Sequence, residues 1–567
     1  MAHIPKIGCA QRLSGPGVLL RALILLIWPA LAWANSQPEL TPEGIRDDVF
    51  FMVQRGKSSV AAKALQQAAL RQEAGNPRLA ALLRRRQDMT DRQKEDQTIL
   101  SEAVGQSGRK AEVTIETIKA RMDATRAEID RLDREIEEES PSFKELTNPR
   151  PMTRAEVQDA LGEDEALILT LTGFYETYVW AISKDSADWT VVYMAESEIA
   201  SKVKLLRQML DVTSANRSAA ALDDDISASV DEFDRHLAHE LYVQFLKPLE
   251  HVFGDARHLI TVVDGPLTSL PLAVLVGDAP EGENNNADAL RDTDWLIRRY
   301  ALTTLPNVSS LRALRRSAAN LPTGGTSQPF VGFGDPIFRY REVAPGEATG
   351  MIEEQAGFHG RGVFEKVSEV ARLAQLPNTR TELRRLAQLT GVGDEALYLG
   401  AAASETAVKK ADLSGAEILA FATHGLLAGG LDGLEEPALV FTPPETPSED
   451  DDALLTASEA AELKLSAKLI ILSACNTAGS DGTPGAEGLS GLARAFIYAG
   501  ARSILVSHWP VDDYATSVLT TGMVGEMANG TSRGEALRQS ILKLMNDDDP
   551  RHTHPRYWAP FVLVGEG

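Results

Sequence analysis

Two residues in this chain have side chains able to act as base and nucleophile, and each closes an apolar run. His424 follows Glu417-Ile418-Leu419-Ala420-Phe421-Ala422-Thr423 and precedes Gly425, while Cys475 follows Lys468-Leu469-Ile470-Ile471-Leu472-Ser473-Ala474 and precedes Asn476. A cysteine attacks a carbonyl through its thiolate, yet a free thiol is mostly protonated at neutral pH. An imidazole beside it takes that proton and later hands it to the leaving amine. The tetrahedral oxyanion also needs donors. The backbone N–H groups of Gly425 and Cys475 suit that task, glycine because it lets the backbone approach a substrate and cysteine because its amide sits at the strand end. A buried neutral histidine and an inert, small apolar cysteine would account for the same residue types without chemistry.

Runs of this length read as strands buried on both faces, as in a parallel sheet covered by helices. Such sheets build sites at the carboxyl ends of their strands, where His424 and Cys475 are expected to meet. Further strands are predicted over 166–171, 177–182, 190–193, 258–263, 397–399, 438–441 and 503–507, with 560–564 closing the sheet. Helices are predicted near 199–210, 230–249, 309–317, 405–411, 457–463 and 489–499. The alternation gives an α/β fold with a mostly parallel sheet flanked by helices. A Gly-rich link over 322–327 divides two α/β parts, and the acidic, Asn-rich stretch 281–294 reads as a solvated insertion. The expected organisation is a leader over 1–34, a helical segment over 35–147, a first α/β part over 148–327 and a second over 328–567.

The chain has 567 residues, of which 43% are hydrophobic, so it is long enough for several packed units. Lys and Arg number 57 against 81 Asp and Glu, a net charge of −24. That field repels nucleic acids and anionic bilayers and argues against either as a partner. The first 34 residues carry Lys6, Arg12 and Arg21, no acid, an apolar centre and an Ala32-Trp33-Ala34 ending. These are the parts of a secretory signal cleaved after Ala34, which predicts a secreted or periplasmic protein. The alternative is an uncleaved membrane anchor, but the apolar centre is short for a span of about 20 residues, which favours cleavage with no membrane attachment afterwards. Cys9 departs with the leader, leaving Cys475 as a lone thiol with no partner for an internal disulfide.

Residues 41–144 are helical in character, with apolar positions at 115, 118, 122, 129, 132 and 136 in a heptad-like seam broken only by Thr125. The seam reads as a short coiled coil or hairpin, either a plain spacer or a surface for a protein partner. No G-x-x-x-x-G-K-S/T phosphate loop is present. Gly488-Leu489-Ser490-Gly491-Leu492 misses the serine-hydrolase elbow at its last position. His552 and His554 near Asp547-Asp548-Asp549 lack a spacing that forces a metal site and read as a polar loop.

Several stretches in order resemble the CHAT-domain cysteine peptidases, kin of caspases and separases. They are Phe421-Ala422-Thr423-His424-Gly425, Leu472-Ser473-Ala474-Cys475-Asn476-Thr477, Gly485-Ala486-Glu487-Gly488, Trp509-Pro510-Val511-Asp512-Asp513 and Tyr557-Trp558-Ala559-Pro560-Phe561. Val263-Asp264-Gly265-Pro266-Leu267 extends the resemblance upstream, to roughly residues 150–567. The resemblance implies a caspase-like catalytic half supported by an inactive preceding α/β part. It implies a His424–Cys475 dyad, Gly425 and Cys475 amides as oxyanion donors, a thioester acyl-enzyme and no cofactor or metal. The substrate would be a protein or peptide cleaved after Arg or Lys, recognised by Asp513 first and Asp512 second. His508 stands where such relatives often carry Leu and reads as a packed variant, not a second base. Residues 41–144 show no 34-residue period, so the tetratricopeptide array common upstream of this domain is not expected. The competing reading is a catalytically silent scaffold that binds a partner through its helical segment and acidic surface.

Overall fold

The computed structural model describes residues 47 and 49–54, scattered helical positions between 82 and 135, then 151–211, 231–319, 328–338, 367–427 except 368 and 377, 431–448 except 432, 433 and 435, 451–473, 491–509 and 512–567. The leader, most of the helical segment, the Gly-rich link, Cys475 and the 479–488 loop lie outside the described residues. The chain divides after Phe50, and every element below belongs to the unit Phe51–Gly567. In the helical segment Ile118, Thr125 and Leu132 are buried. Thr125, which breaks the apolar pattern, therefore still occupies the buried seam at heptad spacing.

The apolar runs form strands as their composition dictates. In chain order these are β1 (Glu165–Thr172), β2 (Thr177–Ser183), β3 (Ala187–Val192), β4 (His258–Val262), β5 (Ala301–Thr304), β6 (Gln328–Gly334), β7 (Leu397–Leu399) and β8 (Ala416–Ala422). β9 (Gly425–Leu426), β10 (Ala438–Val440), β11 (Leu454–Thr456), β12 (Leu469–Leu472), β13 (Ser503–Ser507) and β14 (Phe561–Gly565) follow. Among the described residues, eleven of them make one sheet in the order β3-β2-β1-β4-β5-β14-β13-β12-β8-β6-β7. β9, β10 and β11 form a small antiparallel sheet of their own.

The two α/β parts predicted on either side of the 322–327 link share this single sheet. β1, β4, β5 and β14 run parallel to one another, as do β13, β12, β8, β6 and β7. The two sets run in opposite directions and meet at the antiparallel β13–β14 pair. β14, expected to close the sheet, instead sits at its centre between β5 and β13. Sequence pattern gives a strand's existence but not its neighbours, because pairing is decided by contacts remote in sequence.

The helices that matter for the site are α1 (Glu196–Leu210), α2 (Arg235–Phe245), α3 (Thr379–Leu389), α4 (Gly491–Ala499), α5 (Asp513–Ala528) and α6 (Arg533–Met545). α3 packs on β6 and β8 and against α5, and α5 packs along α6. One apolar core runs through both halves, from Ile168 and Leu241 to Ile471, Leu519 and Leu563. Among the described residues no helix is long and apolar enough to cross a membrane.

The 281–294 stretch is exposed along much of its length, as a solvated insertion should be, but it also has a structural role. It wraps Arg235, which is 1% exposed and donates to Asn284 Oδ1 (3.1 Å), Gly282 O (2.8 Å), Ala289 O (2.8 Å) and Thr293 Oγ1 (3.0 Å). A short helix over Ala287–Asp292, capped by Asn286, presents the Ala289 carbonyl, and its C-cap Thr293 presents the hydroxyl. Burying a guanidinium is costly unless its donors are met, and here two side-chain and two main-chain oxygens of the stretch meet them.

Candidate active site

β8 and β12 lie side by side and parallel, with Leu472 opposite Phe421 and the Ser473 N–H donating to the Phe421 carbonyl at 3.0 Å. His424 comes three residues after Phe421, and Cys475 three residues after Leu472. The sheet register thus brings the ends of both strands to the same carboxyl edge in step, and Cys475 itself lies outside the described residues.

At that edge β8 ends at Ala422 and buried Thr423 donates its hydroxyl to Val440 O of β10. His424 is half-buried. Its Nε2 lies 2.7 Å from the Ala374 carbonyl, and its ring centroid is 5.4 Å from that of the fully buried Phe338. A carbonyl oxygen only accepts, so Nε2 carries the hydrogen and Nδ1 is left as the ring atom able to take a proton. Phe338 belongs to a small apolar core with Val370, Leu434, Val440 and Leu454 beneath the three-stranded sheet. The Gln375 amide spans from Pro336 O (3.0 Å) to Phe338 N (2.9 Å), linking the loop after β6 to the segment that holds the histidine.

Gly425 begins β9 and pairs with Leu439. The Val440 N–H donates to the His424 carbonyl at 2.9 Å, which makes Leu439–Gly425 a non-hydrogen-bonded pair. The Gly425 N–H therefore points away from β10.

β13 ends at Ser507 on the same edge. His508 and Trp509 are both buried, and burial together with nearby Arg207 pulls the His508 imidazole down to about 3. A histidine neutral at all ordinary pH values and enclosed on every side matches the packed reading. Trp509 is fixed by Nε1 donating to Arg556 O at 2.9 Å and by the Arg207 guanidinium 4.9 Å above its ring. Asp512 is the N-cap of α5, accepting from Tyr514 N and Ala515 N, both at 3.0 Å. The Asp513 side chain lies outside the described residues.

Because β14 runs antiparallel to β13, with Phe561 opposite Ser507, the segment before β14 returns to this edge. It builds with Asp512 and Tyr514 a cleft of about 500 Å³ lined also by Asp547, Asp548, Asp549, Arg551, His552 and Tyr557. His552 Nδ1 stands 2.5 Å from Asp547 Oδ2, and Tyr514 stacks on its ring at 5.5 Å. Arg551 donates to Asp549 from Nε (3.0 Å) and Nη2 (2.6 Å), which holds that carboxyl at about 2. Sequence reading treats 547–554 as a polar loop, and nothing in its spacing signals that it meets Asp512. Ala374, Phe338 and Glu382 are likewise absent from the sequence prediction, since a main-chain acceptor and a long-range contact leave no motif.

The profile of the CHAT domain matches residues 235–566. Tetratricopeptide repeat protein 28 of Homo sapiens is 26% identical over 343 residues, and its Mus musculus counterpart 25% identical over 347. The match takes in 55% of this chain but 12% of those relatives, so the chain spans a small part of their length. Among solved structures, chains of the Saccharomyces cerevisiae separase–securin complex align at 12% identity with TM-scores of 0.37 and 0.36, over 81% of this chain and 34% of theirs. With the domain profile matched across more than half of its residues, the chain belongs to the CHAT-domain family.

Proposed function

We propose that the protein is a cysteine endopeptidase in which His424 activates Cys475 and a thioester acyl-enzyme forms at the carboxyl edge of the sheet. The observation that carries this reading is the Leu472–Phe421 register, from which the two motifs leave adjacent strands three residues on. His424 Nδ1 takes the thiol proton as Cys475 Sγ attacks the scissile carbonyl. The Gly425 and Cys475 amides hold the oxyanion, and the same imidazole protonates the departing amine. Water then adds to the thioester with His424 again accepting a proton, and Sγ leaves as the acid product forms.

The acidic cleft beside Asp512 supports a preference for Arg or Lys before the cleaved bond, with Asp513 and Asp512 as recognition residues. The leader supports action outside the cytoplasm, in the periplasm or medium. A digest of a random peptide library by the wild-type and Cys475→Ala proteins tests the reading. Cleavage after basic residues by the wild type alone is expected, and no cleavage by either would overturn it. Iodoacetamide labelling adds a second check. His424→Ala is expected to slow alkylation of Cys475, and an unchanged rate would remove the histidine from the mechanism.

A further inference from the structure

The stretch from Ala374 to Glu382 reaches both strand ends at once. Its first residue holds the His424 ring through a main-chain carbonyl. Its last, Glu382 on α3, is 2% exposed, and its Oε1 lies 2.8 Å from Ser473 Oγ and 2.8 Å from Thr520 Oγ1. Ser473 follows the last residue of β12 and stands two positions before Cys475. Thr520 lies on α5, the helix that Asp512 caps. One carboxylate oxygen thus gathers α3, the end of the nucleophile strand and the helix bearing the candidate recognition residues.

We propose that Glu382 is a positioning residue that fixes the outgoing end of β12, and with it the approach of Cys475 to His424. The proposal rests on Cys475 being the nucleophile. Its physical basis is the cost of the residue. A carboxylate buried this deeply gives up its hydration and persists only where donors meet it, and an apolar side chain of similar volume would serve packing alone. What the carboxylate supplies, and an apolar residue cannot, is a directed anchor on Ser473. That residue is held from both sides, its N–H on Phe421 O and its hydroxyl on Glu382. The Thr520 hydroxyl has a single hydrogen, divided between Glu382 and the Thr516 carbonyl at 3.0 Å, so the Ser473 bond is the undivided one. Small displacements of a nucleophile cost far more in rate than in affinity.

The test compares wild type with Glu382→Leu, Glu382→Gln, Ser473→Ala and the Glu382→Leu/Ser473→Ala double variant. Three quantities are measured: kcat and KM on a cleaved peptide, the iodoacetamide rate at Cys475 from pH 5 to 9, and thermal unfolding. Glu382→Leu and Ser473→Ala are each expected to lower kcat and the alkylation rate about tenfold with KM within about twofold, and the double variant to fall no further than either. Glu382→Gln keeps an oxygen that accepts both hydroxyls and is expected to recover most of the loss. Rates within about twofold of wild type in both single variants, whatever their melting temperatures, or losses that multiply in the double variant, would overturn the proposal. Should Glu382→Leu fail to fold, Ser473→Ala and Glu382→Gln still decide it. If the wild type cleaves no peptide, the peptidase reading fails by itself, and the alkylation rates still report whether Glu382 governs the thiol.

Discussion

The carbonyl oxygen of Ala374 lies 2.7 Å from Nε2 of His424, so among the described residues the imidazole is oriented by main chain. Neutral His424 is therefore expected as the Nε2–H tautomer. In a protein labelled with 15N-histidine, two-bond nitrogen–proton correlations should show Nε2 as the protonated nitrogen and Nδ1 as the bare one above the residue's titration. The reverse assignment would mean that the ring is turned and that Nδ1 is not the base.

Asp512 serves α5 as a cap through both Tyr514 N and Ala515 N. Asparagine can accept the same bonds, so Asp512→Asn should leave stability within a few tenths of a kcal/mol, whereas Asp512→Ala should cost about 1 kcal/mol in urea unfolding. A recognition role separates from capping in the same pair. Loss of preference for Arg or Lys in the asparagine variant at unchanged stability would belong to the charge alone.

Among the groups that make stability fall with acid, His508 and Glu165 act in different windows. His508 is pulled to about 3 by burial and Arg207, so the native state refuses a proton that the unfolded chain binds below 6.5. Its contribution is whole above 6.5 and is lost as pH falls toward 3. Glu165 is pushed up by burial but held down to about 2 by His258, the Gly162 N–H and Arg315, so its contribution is whole above 4.5 and is lost between 4.5 and 2. His508→Leu should flatten the decline between pH 6.5 and 4.5, and Glu165→Gln the decline below it. The losses are on the order of 3 kcal/mol for the histidine and about 2 kcal/mol for the partly screened carboxylate. Urea midpoints across pH 3–8 measure both, and an unchanged slope in either variant would remove that residue from the account.

Arg235 offers a purely structural check on the 281–294 stretch. Arg235→Met removes four donated bonds, the one to buried Thr293 Oγ1 among them, at a cost of about 1–3 kcal/mol. Limited proteolysis should then cut between 281 and 294 in the variant while sparing the wild type. Equal resistance would show that the stretch folds without its cation.

The strands that carry the candidate site were legible because an apolar run such as Leu469-Ile470-Ile471-Leu472 has few alternatives to a doubly covered strand. The His424 and Cys475 motifs were legible because reactive side chains at strand ends stand out against apolar neighbours. What surrounds them was not. Glu382 is one acidic residue in an ordinary amphipathic helix until its contact with Ser473 is seen, and Ala374 acts through an atom that every residue possesses. The acidic, Asn-rich stretch around Asn284 is largely exposed as its composition suggests, but composition gives no sign that Asn284 and Thr293 face a buried arginine.

The central place of β14 also bears on how the protein is made. Synthesis proceeds from the amino end, so β5 and β13 are both complete before the strand that joins them exists, each with an unpaired edge facing the gap. Until β14 docks there are two part-sheets running in opposite senses, each able to recruit a stray strand from another chain. The interval between emergence of β13 and docking of β14 is therefore the one in which both of these edges stand open to mispairing.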